Sequence, residues 1–336
     1  MRYANFPGCS ATTTGRSYSE SFAYVAAKTG IDLVTVPDWN CCGAGHAPNA
    51  YVEDALPARS LALSEAAFGD TPVVALCAAC YGHLKGATAH ARASKERLSQ
   101  MVELIDRPWS ATAEVVNGIE PFLDEEVRQK LSAAVTHPLN GLKVACYYGC
   151  LLVRPREVTT FDDEENPTSM EGVLELVGCQ PVDWAHKTMC CGASHHVARP
   201  DAAKPLSEEI LANAQANGAE AIACACPLCW LNLDMREAEV NKQRLACGQA
   251  PLDLPVYFFT ELLAKALGAS DAEAGLTHHF HEAASTVQRA IDTPQPTSEE
   301  RAAREKAERI AKAKAAKAAR EAAATGGAVS QKEVDA

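Results

Sequence analysis

A five-cysteine pattern that occurs twice constrains this chain more than any other feature. In the first half it runs Cys9, then the doublet Cys41-Cys42 with Gly43 behind it, then the pair Cys77 and Cys80. In the second half it runs Cys150, the doublet Cys190-Cys191 with Gly192, then Cys226 and Cys229. The first interval is 31 residues in one half and 39 in the other; the second is 34 in both. Flanking text repeats as well. Residues 3–9 (YANFPGC) align with 144–150 (VACYYGC), and residues 115–120 with 256–261, both at an offset of 141. Trp39 and Trp184 precede the two doublets at matching places. A period this long marks a duplicated domain and not a solenoid. We therefore expect a first domain over residues 1–140, a second over 141–285, and a distinct segment over 286–336.

Each half alternates short apolar runs with helical stretches. Strands are predicted at 2–6, 31–36, 72–77 and 113–116, then at 142–147, 180–184, 219–225 and 254–259. Helices are predicted from Tyr18 to Lys28, Asp54 to Phe68, Ser94 to Ile105, Ser169 to Val177, Ala202 to Ala216 and Thr260 to Leu267. This alternation predicts an α/β fold: two pseudo-symmetric repeated domains, each a small parallel sheet with crossover helices. The last segment reads differently. After Pro294-Gln295-Pro296, the run Thr297-Ser298-Glu299-Glu300 resembles a capping box. Residues 301–320 then carry eight Lys+Arg, many alanines and a single large apolar side chain, Ile310. A helix there has no stripe to bury, so a solvated tail, flexible or partly helical, is expected.

Of the 336 residues 47% are apolar, enough for one or two cores. With 43 Asp+Glu against 31 Lys+Arg the net charge is −12, which a phosphate backbone would repel, so nucleic acid is not an expected partner. No run approaches the length of a bilayer-spanning helix, and the N-terminus shows no leader-like apolar region. A cytoplasmic location is expected, where fourteen cysteines stay reduced and point to metal or redox chemistry. On the predicted topology all five cysteines of a half follow the carboxyl ends of parallel strands, the edge at which open α/β sheets bind ligands. Five thiolates exceed the four that structural zinc takes, and the two members of a doublet point apart in extended backbone. A cluster of several irons removes both difficulties, since each neighbour can serve a different metal atom. Gly43 and Gly192 allow close backbone approach and N–H donation to sulfur. Zinc is the alternative, and would make the chain a non-catalytic scaffold. The ordinary ferredoxin run Cys-x2-Cys-x2-Cys-x3-Cys is absent, so electrons must be exchanged with another carrier.

Taken together, Cys-x31–39-Cys-Cys-Gly and Cys-x2-Cys, present twice, resemble the CCG-domain family. The phrases Pro37-Asp38-Trp39-Asn40-Cys41-Cys42-Gly43-Ala44, Tyr147-Tyr148-Gly149-Cys150-Leu151-Leu152-Val153-Arg154-Pro155 and Ala225-Cys226-Pro227-Leu228-Cys229 are similar to the B-type subunits of heterodisulfide reductases. The resemblance runs from residue 2 to about residue 268. It implies two noncubane [4Fe-4S] clusters, one held by Cys9, Cys41, Cys42, Cys77 and Cys80, the other by Cys150, Cys190, Cys191, Cys226 and Cys229. It also implies reductive cleavage of a disulfide bound between the clusters, or the reverse oxidation. Expected partners are a ferredoxin-like iron–sulfur subunit of the C type and a flavoprotein subunit of the A type. A bacterial sulfur-oxidising relative of that complex, acting on sulfane sulfur, is the competing version.

Other polar residues carry weaker signals. His46 follows the first doublet and His195-His196 the second; they are candidate donors of a proton to a departing thiolate, or rim residues. His83 reads as packing. The tract His278, His279 and His281 looks like a metal site but reads as incidental. Lys187 and Arg154 read as salt-bridge partners, and Trp39 and Trp184 as packing over the doublet loops. Cys146, Cys179, Cys224 and Cys247 read as buried small apolar residues.

Overall fold

The computed structural model describes residues 1–44, 49–195, 198–294 and 306. The first repeat contributes β1 (Arg2–Phe6), β2 (Asp32–Thr35), β3 (Val73–Ala75) and β4 (Val115–Asn117), in the order β2-β1-β3-β4. The second contributes β5 (Lys143–Tyr147), β6 (Gln180–Pro181), β7 (Ala221–Cys224) and β8 (Val256–Phe258), in the matching order β6-β5-β7-β8. Every pairing is parallel. The central strands β3 and β7 are buried along their whole length, as continuous apolar runs must be when helices cover both faces of a sheet. All eight strands fall on the expected runs, mostly shortened, so the duplicated α/β fold is as the sequence indicates.

In the first repeat the helices are α1 (Arg16–Thr29), α2 (Ala50–Phe68), α3 (Ala78–Ala93), α4 (Lys95–Ile105) and α5 (Glu125–Ala134). In the second they are α6 (Arg156–Thr159), α7 (Ser169–Leu174), α8 (Pro200–Ala216), α9 (Pro227–Ala246), α10 (Phe259–Ala266), α11 (Asp271–Ala274) and α12 (Ala284–Asp292). Side-chain caps at Asn49, Ser94 and Asp124 open α2, α4 and α5. Two long helices, α3 and α9, are not among the expected ones. Their N-caps are Cys77 and Cys226, in extended backbone and with no side-chain cap bond, so the usual start signal is missing. Both helices begin inside a Cys-x2-Cys pair, which puts Cys80 and Cys229 in a first helical turn.

An aromatic seam joins the repeats. Tyr18 of α1 stacks on Phe258 at 4.6 Å with an interplanar angle of 5°. Phe122 contacts Phe22 at 5.5 Å and Phe259 at 5.8 Å, edge to face. Ser21 of α1 shares a buried 2.7 Å hydrogen bond with Thr260 of α10. Each repeat owns a sheet, but Met1–Thr293 is one compact unit. The expected start of the tail at residue 286 is corrected: it falls inside α12, whose Val287 and Ala290 are buried because that helix has an apolar stripe, and the folded body continues to Thr293. The capping-box run at 297–300 lies outside the described residues.

Candidate metal centre

Cys9 follows β1, the doublet Cys41-Cys42 follows β2, and Cys77 links β3 to α3. The second repeat places Cys150, Cys190-Cys191 and Cys226 likewise beyond β5, β6 and β7. Left-handed glycines prepare both sites at the same points. Gly8 has φ +69° and Gly149 φ +68°; a Cβ there would lie 3.2 Å from Cys80 Sγ and 3.1 Å from Cys229 Sγ. Only glycine lets these turns pass so close to sulfur. Gly43 (φ +81°) and Gly192 (φ +78°) close the doublet loops, and their N–H groups donate to Cys41 Sγ at 3.5 Å and Cys190 Sγ at 3.4 Å. In each doublet the first thiol is exposed and the second buried, as extended backbone demands.

The sulfurs of both halves follow one another at close range. Cys9 meets Cys41, and Cys41 meets Cys42. Cys42 lies 3.3 Å from Cys80, and Cys80 neighbours Cys77. Cys77 then crosses the seam to Cys226. From there the succession runs to Cys229 and on to Cys191 at 3.6 Å, while Cys190, next to Cys191 in the chain, neighbours Cys150. No spacing within a repeat points to the contact between Cys77 and Cys226, because it joins the two repeats.

Protonation follows these contacts. The Cys80 contact, with help from the Ala44 N–H, lowers the Cys42 thiol to about 7 against the pull of burial. Cys191 is lowered in the same way, first by Cys229 and also by Asn232. Cys226 is lowered by Cys229, by Cys77 and by the backbone N–H groups of Cys229 and Ala78. Burial, then Cys190, pushes Cys150 up to about 12. Burial pushes Cys41 up, and neighbouring sulfurs, then burial, push Cys77, Cys80 and Cys229 up as well, so the shifts go in both directions within each half.

Among the described residues no three Cys, His, Asp or Glu side chains converge tightly enough to chelate one ion. A strung-out set of soft thiolates, cradled by glycines and backbone N–H donors, fits a polynuclear iron–sulfur group.

The remaining candidates divide. His46 and His196 lie outside the described residues. His195 is exposed at the end of the turn Ala193–His195. Lys187 is buried, pairs with Glu171 at 2.8 Å and donates to the Pro167 carbonyl. Its own carbonyl accepts the Tyr148 and Gly149 N–H groups, so it holds the Cys150 turn. Arg154 bonds Thr188. Trp39 packs edge-on against Phe6 at 5.7 Å, and Trp184 lies 6.2 Å from Tyr147, so both pack at equivalent places. His83 is half-buried near Glu53. Cys146, Cys179 and Cys224 are buried, but Cys247 is exposed, because it caps the solvent end of α9. The histidine tract is not incidental. His279 is buried in an ion pair with Glu261 at 3.0 Å, while His278 faces Glu20 and His281 faces Asp253. Two asparagines that sequence reasoning missed hold the doublets: Asn40 donates to the Cys41 and Leu56 carbonyls, and Asn232 donates to the Cys191 carbonyl.

The cysteine-rich CCG domain model matches residues 3–85 and 144–234, one match per repeat. The chain is 29% identical to the membrane anchor of the 8-methylmenaquinol:fumarate reductase of Wolinella succinogenes, over 84% of this chain and 97% of that protein. It is 30% identical to the B-type subunit of the ferredoxin/F(420)H(2)-dependent CoB-CoM heterodisulfide reductase of Methanosarcina acetivorans, over 81% of this chain and 91% of that protein. A hypothetical protein from Helicobacter pylori shares the fold with a TM-score of 0.62 at 11% identity; 84% of this chain is covered and 52% of that one, so this chain spans about half its length. Among the described residues no helix is long and apolar enough to cross a membrane. With both repeats matched and the likeness to the reductase extending across the folded body, the chain belongs to the CCG cysteine-rich-domain family that includes the B-type subunits of heterodisulfide reductases.

Proposed function

We propose that this chain is the catalytic iron–sulfur subunit of a heterodisulfide reductase-like complex in the cytoplasm, working with a ferredoxin-like iron–sulfur subunit and a flavoprotein subunit. Cys9, Cys41, Cys42, Cys77 and Cys80 would hold one noncubane [4Fe-4S] cluster, and Cys150, Cys190, Cys191, Cys226 and Cys229 a second. The observation that supports this reading is the gathering of each half's cysteines at its sheet edge, with the two sets approaching each other across the seam at Cys77 and Cys226. Clusters held there would supply the two electrons that reductive cleavage of a disulfide requires, one at each of its sulfurs. The chain's own groups do the rest. Gly43 and Gly192 N–H groups face the outer thiols, and the first turns of α3 and α9 present their positive ends to Cys80 and Cys229. Exposed Leu151 and Leu228, beside Cys150 and between Cys226 and Cys229, give the rim an apolar lip for the carbon chain of a thiol. His46 at the first doublet and His195 or His196 at the second are assigned the proton for a departing thiolate.

Anaerobically purified protein should carry roughly eight iron and as much acid-labile sulfide, and the complex should turn over a heterodisulfide or a sulfane-sulfur donor. A colourless protein with about two zinc would overturn the reading. The match to nearly the whole of the fumarate reductase anchor favours one further possibility, an anchor of a quinol-linked reductase. Activity with a quinol and none with any disulfide would select it.

A further inference from the structure

The seam between the repeats contains a hydroxyl with nothing to bond. Tyr18 is fully buried, and its phenolic oxygen has no hydrogen-bond partner among the described residues. Leaving a buried hydroxyl unpaired is costly, yet the surroundings make room for it. A Cβ at Gly118, just beyond β4, would lie 2.3 Å from the Tyr18 oxygen, and Leu76, just beyond β3, also lies beside that point. The hydroxyl therefore sits at the carboxyl edge of the first sheet. Its ring stacks on Phe258, the last residue of β8, at the carboxyl edge of the second. Three residues before Tyr18, a Cβ at Gly15 would lie 2.8 Å from Pro227, the residue after Cys226, so this end of α1 packs against the second-repeat cysteine loop; burial and then the thiols Cys224, Cys226 and Cys77 act on the phenol. Two other ring donors beside the Cys-x2-Cys pairs are already used: Tyr81 donates to the Thr159 carbonyl and Trp230 to the Val256 carbonyl. At the place in the second repeat that matches Tyr18, nine residues after its first cysteine, stands Thr159, whose hydroxyl is spent on the Pro155 carbonyl. Only one of the two sites has a spare phenol.

We infer that Tyr18 donates its hydroxyl hydrogen bond to sulfur of the second-repeat cluster, at Cys226 or an inorganic sulfide beside it, and so makes the two clusters unequal in potential. This rests on the cluster reading given above. A hydrogen bond to sulfur stabilises the electron-rich reduced state and raises its potential. Tyr18 is thus a positioning and tuning residue contributed by one repeat to the other.

Tyr18→Phe keeps the stacking ring and removes one oxygen. In the anaerobically purified full-length chain, potentiometric titration followed by electron paramagnetic resonance should show two transitions in the parent protein. In the variant, with iron content unchanged, one transition should become about tenfold harder to reduce, about 59 mV for one electron, and the other should stay. Without iron, the variant should be as stable as the parent or more so, since the orphan hydroxyl is gone. Loss of iron from a folded variant would support the contact still more directly. A fully loaded Tyr18→Phe protein with both transitions unmoved would overturn this inference and leave the cluster reading intact. A parent protein without iron or sulfide would take both down.

Discussion

The two cysteine sites share a pattern and differ in their surroundings. Their glycine turns agree to within a few degrees of φ, their doublets expose the same member, and their inner sulfurs meet at 3.3 Å in one and 3.6 Å in the other. Yet Cys9 is exposed where Cys150 is partly buried. The first doublet is tied by Asn40 on its own loop, the second by Asn232 on α9. At the sulfurs that meet across the seam, Cys226 is lowered by the N–H of Ala78 among other contacts, while Cys77 is pushed up, chiefly by Cys226. The repeat supplies equal cysteines; packing between the two copies makes their surroundings unequal.

The strongest way to test this comparison is to remove one inner sulfur at a time. Cys80→Ser and Cys229→Ser should each lose about half of the iron if each half holds one cluster, and iron and sulfide analysis of each purified variant checks it. Complete loss from either single change would mean one shared centre.

The next contrast concerns the glutamates at repeat-equivalent positions. Glu120 and Glu261 each accept a backbone N–H three residues back, at 2.8 Å. Burial pushes the Glu120 carboxyl up, whereas Glu261 faces buried His279. Burial pulls the His279 pKa down, but Glu261 and Asp234 more than reverse this and push it up to about 10. A folded-state pKa above the unfolded value means stability that is fully present below about pH 6.5 and lost as pH rises toward 10. Burial also raises Glu237 to about 8, which adds to the decline at lower pH. The His279 contribution is therefore read between pH 8 and 10. His279→Ala should cost about 3–5 kcal/mol at neutral pH, because it strands buried carboxylates, and should flatten the alkaline decline. Denaturant midpoints across pH measure both.

The glycine turns should behave alike. Gly8→Ala and Gly149→Ala each force a side chain into left-handed backbone and against sulfur, at about 1–3 kcal/mol; unequal losses in chemical denaturation would break the symmetry. The smallest difference should separate the tryptophans. Trp184 donates to the Cys146 carbonyl at 3.1 Å, whereas Trp39 relies on ring packing with Phe6. Replacement by Phe should cost about 1 kcal/mol more at 184 than at 39, read as a difference in thermal midpoints.

How much of this is visible in the sequence depends on whether the signal is local. The repeat, the eight strands, the parallel order and the gathering of each half's cysteines at one edge follow from periodicity and spacing. Helices α3 and α9 do not, since Cys77 and Cys226 give no capping signal and stand where a Ser or Asp would. The beginning of the tail is hidden because α12 buries only a narrow stripe, Val287 and Ala290. The role of His279 is hidden because its partners, Asp234 and Glu261, lie on α9 and α10, far from it in sequence. Tyr18 and the contact of Cys77 with Cys226 depend on how one repeat docks against the other, which no spacing within a repeat encodes.

The aromatic seam bears on how such a chain could have arisen. With Tyr18 on one copy stacked on Phe258 of the other, neither repeat can bury its apolar face alone. A symmetric pair of single-copy chains would bring identical thiols to a common axis. Fusing the genes ended the obligation to be identical, and a lone phenol on one side of that axis is the kind of change a symmetric pair could never keep to itself.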